Sequence, residues 1–351
     1  MHRPSAASHP HLAYFSDSYS ASRARFISAA TDVGATLDAW PHPLGTAQAP
    51  LEITTAYWGP KPARRVIIIV SGTHGVEGYV GAACQTALLA RGETPKDCAF
   101  LFVHALNPWG FAHNQRGNEH NVDLNRNFLD FSAPPPDNPD YARYRPYLLP
   151  NAWQGFARIR ADAMLYKELM LGRRKQLQAA ITRGQYAFAD ELFYGGQDAA
   201  WSHQAWREII APFDALPHSV IDLHTGLGAW GQAQLLSSLG QDTPAFRHMQ
   251  AKLPCQLIST THHDTSIPQA SGALIDTLAD DSQSLVLELG TYTPTKVLNA
   301  LRKNRIAART GDAVSTLKPV FCPDAPPWRI AVIRQFLSIV DSYVSLWLAP
   351  K

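Results

Sequence analysis

The chain has 351 residues, 46% of them hydrophobic and 17% charged, enough to bury a large core in one large domain or two smaller ones. Its 31 Lys and Arg stand against 29 Asp and Glu, a formal net charge of +2 that leaves no cationic surplus for gripping a nucleic-acid backbone. No run approaches about 18 uninterrupted apolar residues, and Met1 to His11 lacks the apolar core of a secretory signal, so the expectation is a soluble cytoplasmic protein with no nucleic-acid or membrane partner.

The first strong element is the apolar run Val66 to Val70, which reads as a strand buried on both faces. It ends in Ser71-Gly72-Thr73-His74-Gly75-Val76-Glu77, where a His-x-x-Glu pair sets two metal-ligand groups within about one turn of each other. The neighbouring glycines permit a tight turn into a helix predicted over Gly78 to Ala90, with Gly92 as its stop. A second strand is predicted over Ala99 to Ala105. After it comes the dense polar segment Arg116 to Phe128, whose arginines suit bidentate binding of a carboxylate or stabilisation of an oxyanion. The same segment also reads as a solvated loop built on Asn and Asp turns.

Residues 129–218 form a predominantly helical insert. It opens on an irregular proline-rich excursion over Ala133 to Pro150 and continues as a helix over Trp153 to Arg183, placed either to cap the mouth of a sheet or to make an oligomer contact. A third strand, Ser219 to Leu223, delivers Asp222 and His224; Asp222 lies on the same strand face and is placed to orient a neighbour. A helix follows over Pro244 to Leu253, and His262-His263-Asp264 forms a competing metal cluster that follows no clear strand. The fourth strand, Leu285 to Leu289, sets Glu288 among apolar residues, where a buried carboxylate requires a reason: a general base beside a metal, or an ion pair with an arginine. Helices over Lys296 to Thr310 and Trp328 to Leu348 complete the chain. Cys84, Cys98, Cys255 and Cys322 form no C-x-x-C pair and read as reduced thiols.

Doubly buried strands alternating with helices predict an α/β fold, a mixed, largely parallel sheet with helices on both faces, over a single domain 1–351. Ligand sites in such sheets form at the carboxyl ends of the strands, and all four runs deliver polar residues there. His74, Glu77 and His224 meet the three-ligand requirement of one catalytic zinc, with the fourth position left open.

On these residues the chain resembles the M14 zinc carboxypeptidase family, including its succinylglutamate desuccinylase and aspartoacylase branch. The resemblance rests on His74-x-x-Glu77, Asn107-Pro108-x-Gly110-Phe111, Arg116 with Asn125-Arg126, the single His224 and the late Glu288, in that order. Gly72 to Gly75 and Asp222 to His224 are worded like the desuccinylase branch, whereas Val122 to Phe128 and Gln269-Ala270-Ser271-Gly272 look like the peptidase branch. The resemblance implies a zinc carboxypeptidase-like fold in which His74, Glu77 and His224 bind Zn2+ and Asp123 accepts from the imidazole of His74. It further implies that Arg116 polarises the scissile carbonyl, that Asn125 and Arg126 hold the substrate's terminal carboxylate, and that Glu288 activates water. Ile275 falls where such peptidases line their side-chain pocket. Peptidase members carry a tyrosine immediately before Gln-Ala-Ser-Gly; here that position is Pro268, with Tyr292 as the candidate replacement.

The expected activity is cleavage of an amide bond adjacent to a free carboxylate, of the metallocarboxypeptidase type, on a small peptide. The alternative is an N-acyl-amino-acid amidohydrolase acting on an N-acyl amino acid, and a reading from another class is a non-catalytic zinc-binding protein. The first 50 residues and the insert have no counterpart in the resemblance, and oligomerisation is open.

Overall fold

The computed structural model describes residues 9–261, 270–278, 283–311 and 316–348. Its frame is one eight-stranded sheet of β1 (Thr36–Pro41), β2 (Glu52–Trp58), β3 (Arg65–Val70), β4 (Cys98–His104), β5 (His218–Gly226), β6 (Ala233–Ser237), β7 (Gln256–Ser259) and β8 (Leu285–Gly290). The strand order is β1-β2-β4-β3-β5-β8-β6-β7. The four central strands β4, β3, β5 and β8 run parallel, and antiparallel pairs join β1 to β2, β2 to β4 and β6 to β8. The mixed α/β sheet expected from the four apolar runs is therefore present. Those runs became the central strands because parallel strands covered by helices on both faces must be apolar throughout: β4 and nearly all of β3 and β5 are buried.

The helices are α1 (Tyr19–Asp32), α2 (Gly78–Leu89), α3 (Pro108–Ala112), α4 (Pro139–Leu148), α5 (Gly155–Met170), α6 (Arg174–Thr182), α7 (Trp201–Ile210), α8 (Pro244–Lys252), α9 (Pro294–Thr310), α10 (Lys318–Phe321) and α11 (Pro326–Leu348). One face of the sheet buries Ile67, Ile69 and Leu223 with α2 and α11; the other buries Ile68, Val70 and Val220 with Trp206 and Ile209 of α7. α11 is long and apolar enough to cross a membrane, with a mean hydropathy of 1.2, but half of that window is buried inside the fold. Phe336, Val340 and Tyr343 are core residues, so its apolarity is accounted for by packing.

The insert differs from its expectation in two places. The proline-rich excursion contains α4, started by Asn138, whose side chain accepts from the Tyr141 amide, and by Pro139 in the first turn. Tyr141, Tyr144 and Leu148 then give it a buried stripe at helical spacing. The long helix over Trp153 to Arg183 is broken into α5 and α6 at Gly172, whose φ of +73° is a left-handed stop. Arg302 of α9 fastens the insert to the body by donating to the carbonyls of Leu148 (2.7 Å) and Tyr147 (2.9 Å) and pairing with Asp162 (2.8 Å).

Candidate metal centre

β3 and β5 are hydrogen-bonded neighbours in the sheet, and each delivers its ligand-bearing segment at its carboxyl end. After β3 the chain turns at Gly72 (φ +68°) and passes so close to α3 that a Cβ on Gly75 would lie 2.1 Å from the Gly110 carbonyl carbon. Only a glycine passes there, and the short 3-10 turn Gly75–Glu77 then brings the Glu77 carboxylate back beside His74. His224 arrives directly from β5.

The three groups converge. His74 Nδ1 is 3.0 Å from His224 Nδ1 and 3.1 Å from Glu77 Oε1, and His224 Nδ1 is 3.1 Å from Glu77 Oε2. All three residues are buried. On the far side of each ring a carboxylate fixes the tautomer: His74 Nε2 is 3.0 Å from Asp123 Oδ1, and His224 Nε2 is 2.7 Å from Asp222 Oδ2. Were both rings neutral with Nε2 donating outward, their Nδ1 lone pairs would face each other and a carboxylate. Three acceptors facing one point out of water repel unless a cation stands between them. Donor atoms held 2.0–2.1 Å from a tetrahedral zinc stand roughly 3.3 Å from one another, close to the spacing found here. The residues therefore fit a divalent ion in its His2-Glu form, with carboxylate–histidine pairs behind both rings.

The supporting groups are themselves tied down. Thr73 Oγ1 donates to Asp222 Oδ1 at 2.6 Å, the Thr225 amide donates to Glu77 Oε2 at 2.9 Å, and Arg116 donates to Glu77 Oε1 (3.0 Å) and Asp123 Oδ2 (3.1 Å). Burial alone would raise the Asp123 carboxyl, but Arg116, His74 and Arg126 hold it well below the usual carboxylate range. Burial likewise opposes charge on His224, and the Asp222 and Glu77 carboxylates override it and raise the imidazole well above its ordinary value. Glu288 is the register partner of His224 on the adjacent parallel strand, so both side chains share one sheet face. Burial pushes its carboxyl up to about 7; Glu77 adds to this, and His224, His74 and Arg116 oppose it. Apart from a long contact from the Leu227 amide (3.4 Å), Glu288 faces the cavity beside the triad.

The remaining predicted residues divide. Asn125 is buried against the centre, its Nδ2 3.2 Å from His224 Nε2 and its Oδ1 accepting from the Leu274 amide at 2.8 Å. Arg126 lines the cavity, but part of its guanidinium is spent on the carbonyls of Thr182 (2.6 and 3.1 Å) and Asn125 (2.8 Å). Ile275 lines the cavity wall, whereas Tyr292 is not among the lining residues: its ring packs on Trp230 at 4.8 Å and under the Lys296 ammonium at 3.1 Å. Pro268, Gln269 and His262-His263-Asp264 lie outside the described residues. Three contributors had not been singled out. Thr73 and the Thr225 amide are inconspicuous parts of the ligand segments, and Phe193 comes from the insert, holding a left-handed φ of 56° with its ring 5.6 Å from the Arg116 guanidinium and 5.8 Å from that of Arg126. The polar segment is no solvated loop: Asn121 donates to the carbonyls of Ala189 and Glu191, both at 2.8 Å, and Asp123, Asn125 and Arg126 are buried.

Comparison with solved structures finds the same fold in carboxypeptidases. Carboxypeptidase A from Helicoverpa armigera superposes with a TM-score of 0.56 at 14% identity, covering 94% of this chain and 73% of that one. Bovine thrombin-activatable fibrinolysis inhibitor, solved in complex with a tick carboxypeptidase inhibitor, gives 0.54 at 12% identity over 96% and 99% of the two chains. A succinylglutamate desuccinylase from Silicibacter sp. also matches, with a TM-score of 0.39 at 15% identity over 79% and 67%. Residues 15–335 match the model of a family described as "Protein of unknown function (DUF2817)". A comparison with curated proteins finds no match.

Proposed function

The chain belongs to the protein family of unknown function DUF2817, and from that premise we propose that it is a zinc-dependent hydrolase cleaving an amide bond adjacent to a free carboxylate. One observation carries the reading: two imidazole nitrogens and a carboxylate meet within 3.0–3.1 Å, each ring braced by its own carboxylate, beside buried Glu288, whose hydrogen bond among the described residues is a long one from the Leu227 amide. A structural zinc site is closed by four protein ligands, whereas three ligands plus an open side facing a cavity is the catalytic pattern. When bound, Zn2+ supplies a Lewis acid that activates water and polarises a carbonyl.

The chain's own residues supply the rest. Glu288 takes a proton from the attacking water and returns it to the departing nitrogen, and burial suits it to both tasks by keeping its pKa close to neutrality. Arg116 stays charged because Asp123 and Glu77 outweigh its burial; it holds those carboxylates in place and lines the cavity, where its charge can stabilise the negative charge that develops on the carbonyl oxygen. The unspent N–H groups of Arg126, with Arg116 nearby, make the pocket attractive to a carboxylate. Asn125 holds Leu274 and the His224–Asp222 pair in position.

The test is a panel of dipeptides and N-acyl amino acids, each as free acid and as amide, assayed after chelation and again after zinc is restored. Zinc-restored cleavage of free acids in preference to amides is expected. Equal cleavage of both forms refutes the carboxylate requirement, and no cleavage by protein carrying one zinc refutes the hydrolase.

A further inference from the structure

His74, Glu77 and His224 line a cavity of about 900 Å³. That is near the top of the range of roughly 300–1,000 Å³ seen for whole ligand pockets, and more than a dipeptide or an acetylated amino acid fills. Away from Glu288 and Arg116 the walls turn aliphatic: Leu177 and Ile181 from α6, Ile275, Val286 from β8, and Leu298 and Leu301 from α9. Polar groups interrupt these walls: Arg302 is satisfied by Leu148, Tyr147, Asp162 and Asn299, and Arg174, Gln178 and Asp276 also line the cavity. An extended peptide laid over the aliphatic stretches would leave N–H and C=O groups facing hydrocarbon, a penalty that a hydrocarbon chain does not incur. The apolar lining also continues to the surface. Tyr166 and Leu169 of α5 both line the cavity and are exposed, at 62% and 44%, and they adjoin exposed Phe156, Ile159 and Met170 on the same helix. Large apolar side chains left in water around an apolar cavity mark an entrance for an apolar ligand.

We propose that the substrate is an N-acyl amino acid carrying a medium or long straight acyl chain, with the amino-acid carboxylate on the arginine side of the metal centre and the hydrocarbon tail between α6 and α9. This rests on the hydrolase reading above. Water adds its oxygen to the acyl carbon, the carbon–nitrogen bond breaks, and Glu288 passes the proton to the nitrogen. The products are a fatty carboxylate and a free amino acid, and no co-reactant other than water is consumed. Residues 155–182, which carry α5 and α6, thereby have a role as one wall of the tail site.

The experiment has two arms. In the first, kcat/KM is measured with zinc-loaded protein on one amino acid acylated with acetyl, hexanoyl, decanoyl and tetradecanoyl groups. It should rise by up to roughly fourfold per methylene until the cavity is full. In the second, dodecanoate and acetate are titrated calorimetrically into metal-free wild-type protein, I181W and L298W. Dodecanoate should bind the wild type, acetate should not, and each tryptophan should weaken dodecanoate binding at least tenfold while circular dichroism reports an intact fold. Hydrolysis of the acetyl substrate with flat or falling rates for longer chains, and no dodecanoate binding, overturns the proposal and leaves the hydrolase standing. Dodecanoate binding that is blocked by the tryptophans, with no hydrolysis of any substrate, upholds the tail site and overturns the hydrolase.

Discussion

Replacing Asp222 by asparagine tests whether the carboxylates behind the imidazoles tune the metal site. Asp222 is wholly buried, and its oxygens accept from His224 Nε2 at 2.7 Å and Thr73 Oγ1 at 2.6 Å. Hydrogen bonds to a charged group contribute about 1.5–3 kcal/mol each. The amide is nearly isosteric, so the variant keeps the packing but loses the negative charge that makes the His224 ring a strong donor through Nδ1. Outer partners of this kind typically change metal affinity by about 10- to 100-fold, or roughly 1.4–2.7 kcal/mol. D222N should therefore bind zinc 10- to 100-fold more weakly in competition with a chromophoric chelator. T73V removes only the hydroxyl that steadies Asp222, leaves the charge, and should lose less than D222N. An affinity for D222N within twofold of wild type, with zinc still bound one per chain, would refute the argument that this carboxylate fixes the tautomer and basicity of His224.

Glu288→Gln should retain zinc stoichiometry and lower kcat by about 10²- to 10⁴-fold, the usual contribution of a general base; wild-type turnover by E288Q would remove Glu288 from the chemistry. In the wild type, kcat/KM should fall about tenfold per pH unit on the acid side of the Glu288 pKa, because only the ionised carboxylate accepts a proton. That pKa lies at or below about 7, since a bound cation favours the ionised form. His104, buried between Phe26 and Ser22, has its pKa pushed down to about 3 by burial, from an ordinary 6.5. Below pH 6.5 the unfolded chain binds a proton there that the folded chain refuses, so stability is lost as pH falls. Between pH 7 and pH 5 this amounts to about 2 kcal/mol, and denaturant melts of H104Q should lack that share of the decline.

The centre of the molecule was legible because its signals are local. A parallel strand covered on both faces has to be apolar along its length, so Val66 to Val70 and Leu285 to Leu289 announce themselves. A charged residue inside such a run, like Glu288, then needs a purpose. The sheet's margins carry no such signal. β1 is exposed along most of its length and interleaves Leu37, Ala39 and Trp40 with Thr36 and Asp38, giving no apolar run, and β7 has only four residues. The stripe of α1, Tyr19, Ser22, Phe26 and Ala30, mixes small and polar groups with aromatics, so its period is weak even though Ser18 caps it well. At the site, His74, Glu77 and His224 were visible as strand-end residues, and Asp222 through its two-residue spacing from His224. What occupies the arginines was not. Arg126 donates to a carbonyl 56 residues away, and Arg116 to a carboxylate 39 residues back, so their partners are set by tertiary folding alone. The same holds for Phe193, whose place over both guanidiniums depends on how the insert folds back.

Zinc K-edge absorption spectroscopy on protein of known metal content tests the central claim most directly. The account predicts one zinc per chain with two nitrogen neighbours at about 2.0–2.1 Å and carboxylate and solvent oxygen at about 2.0–2.2 Å, collapsing to substoichiometric zinc in an H74A/H224A variant. A shell without imidazole scattering, or full zinc occupancy retained in the double variant, would contradict it.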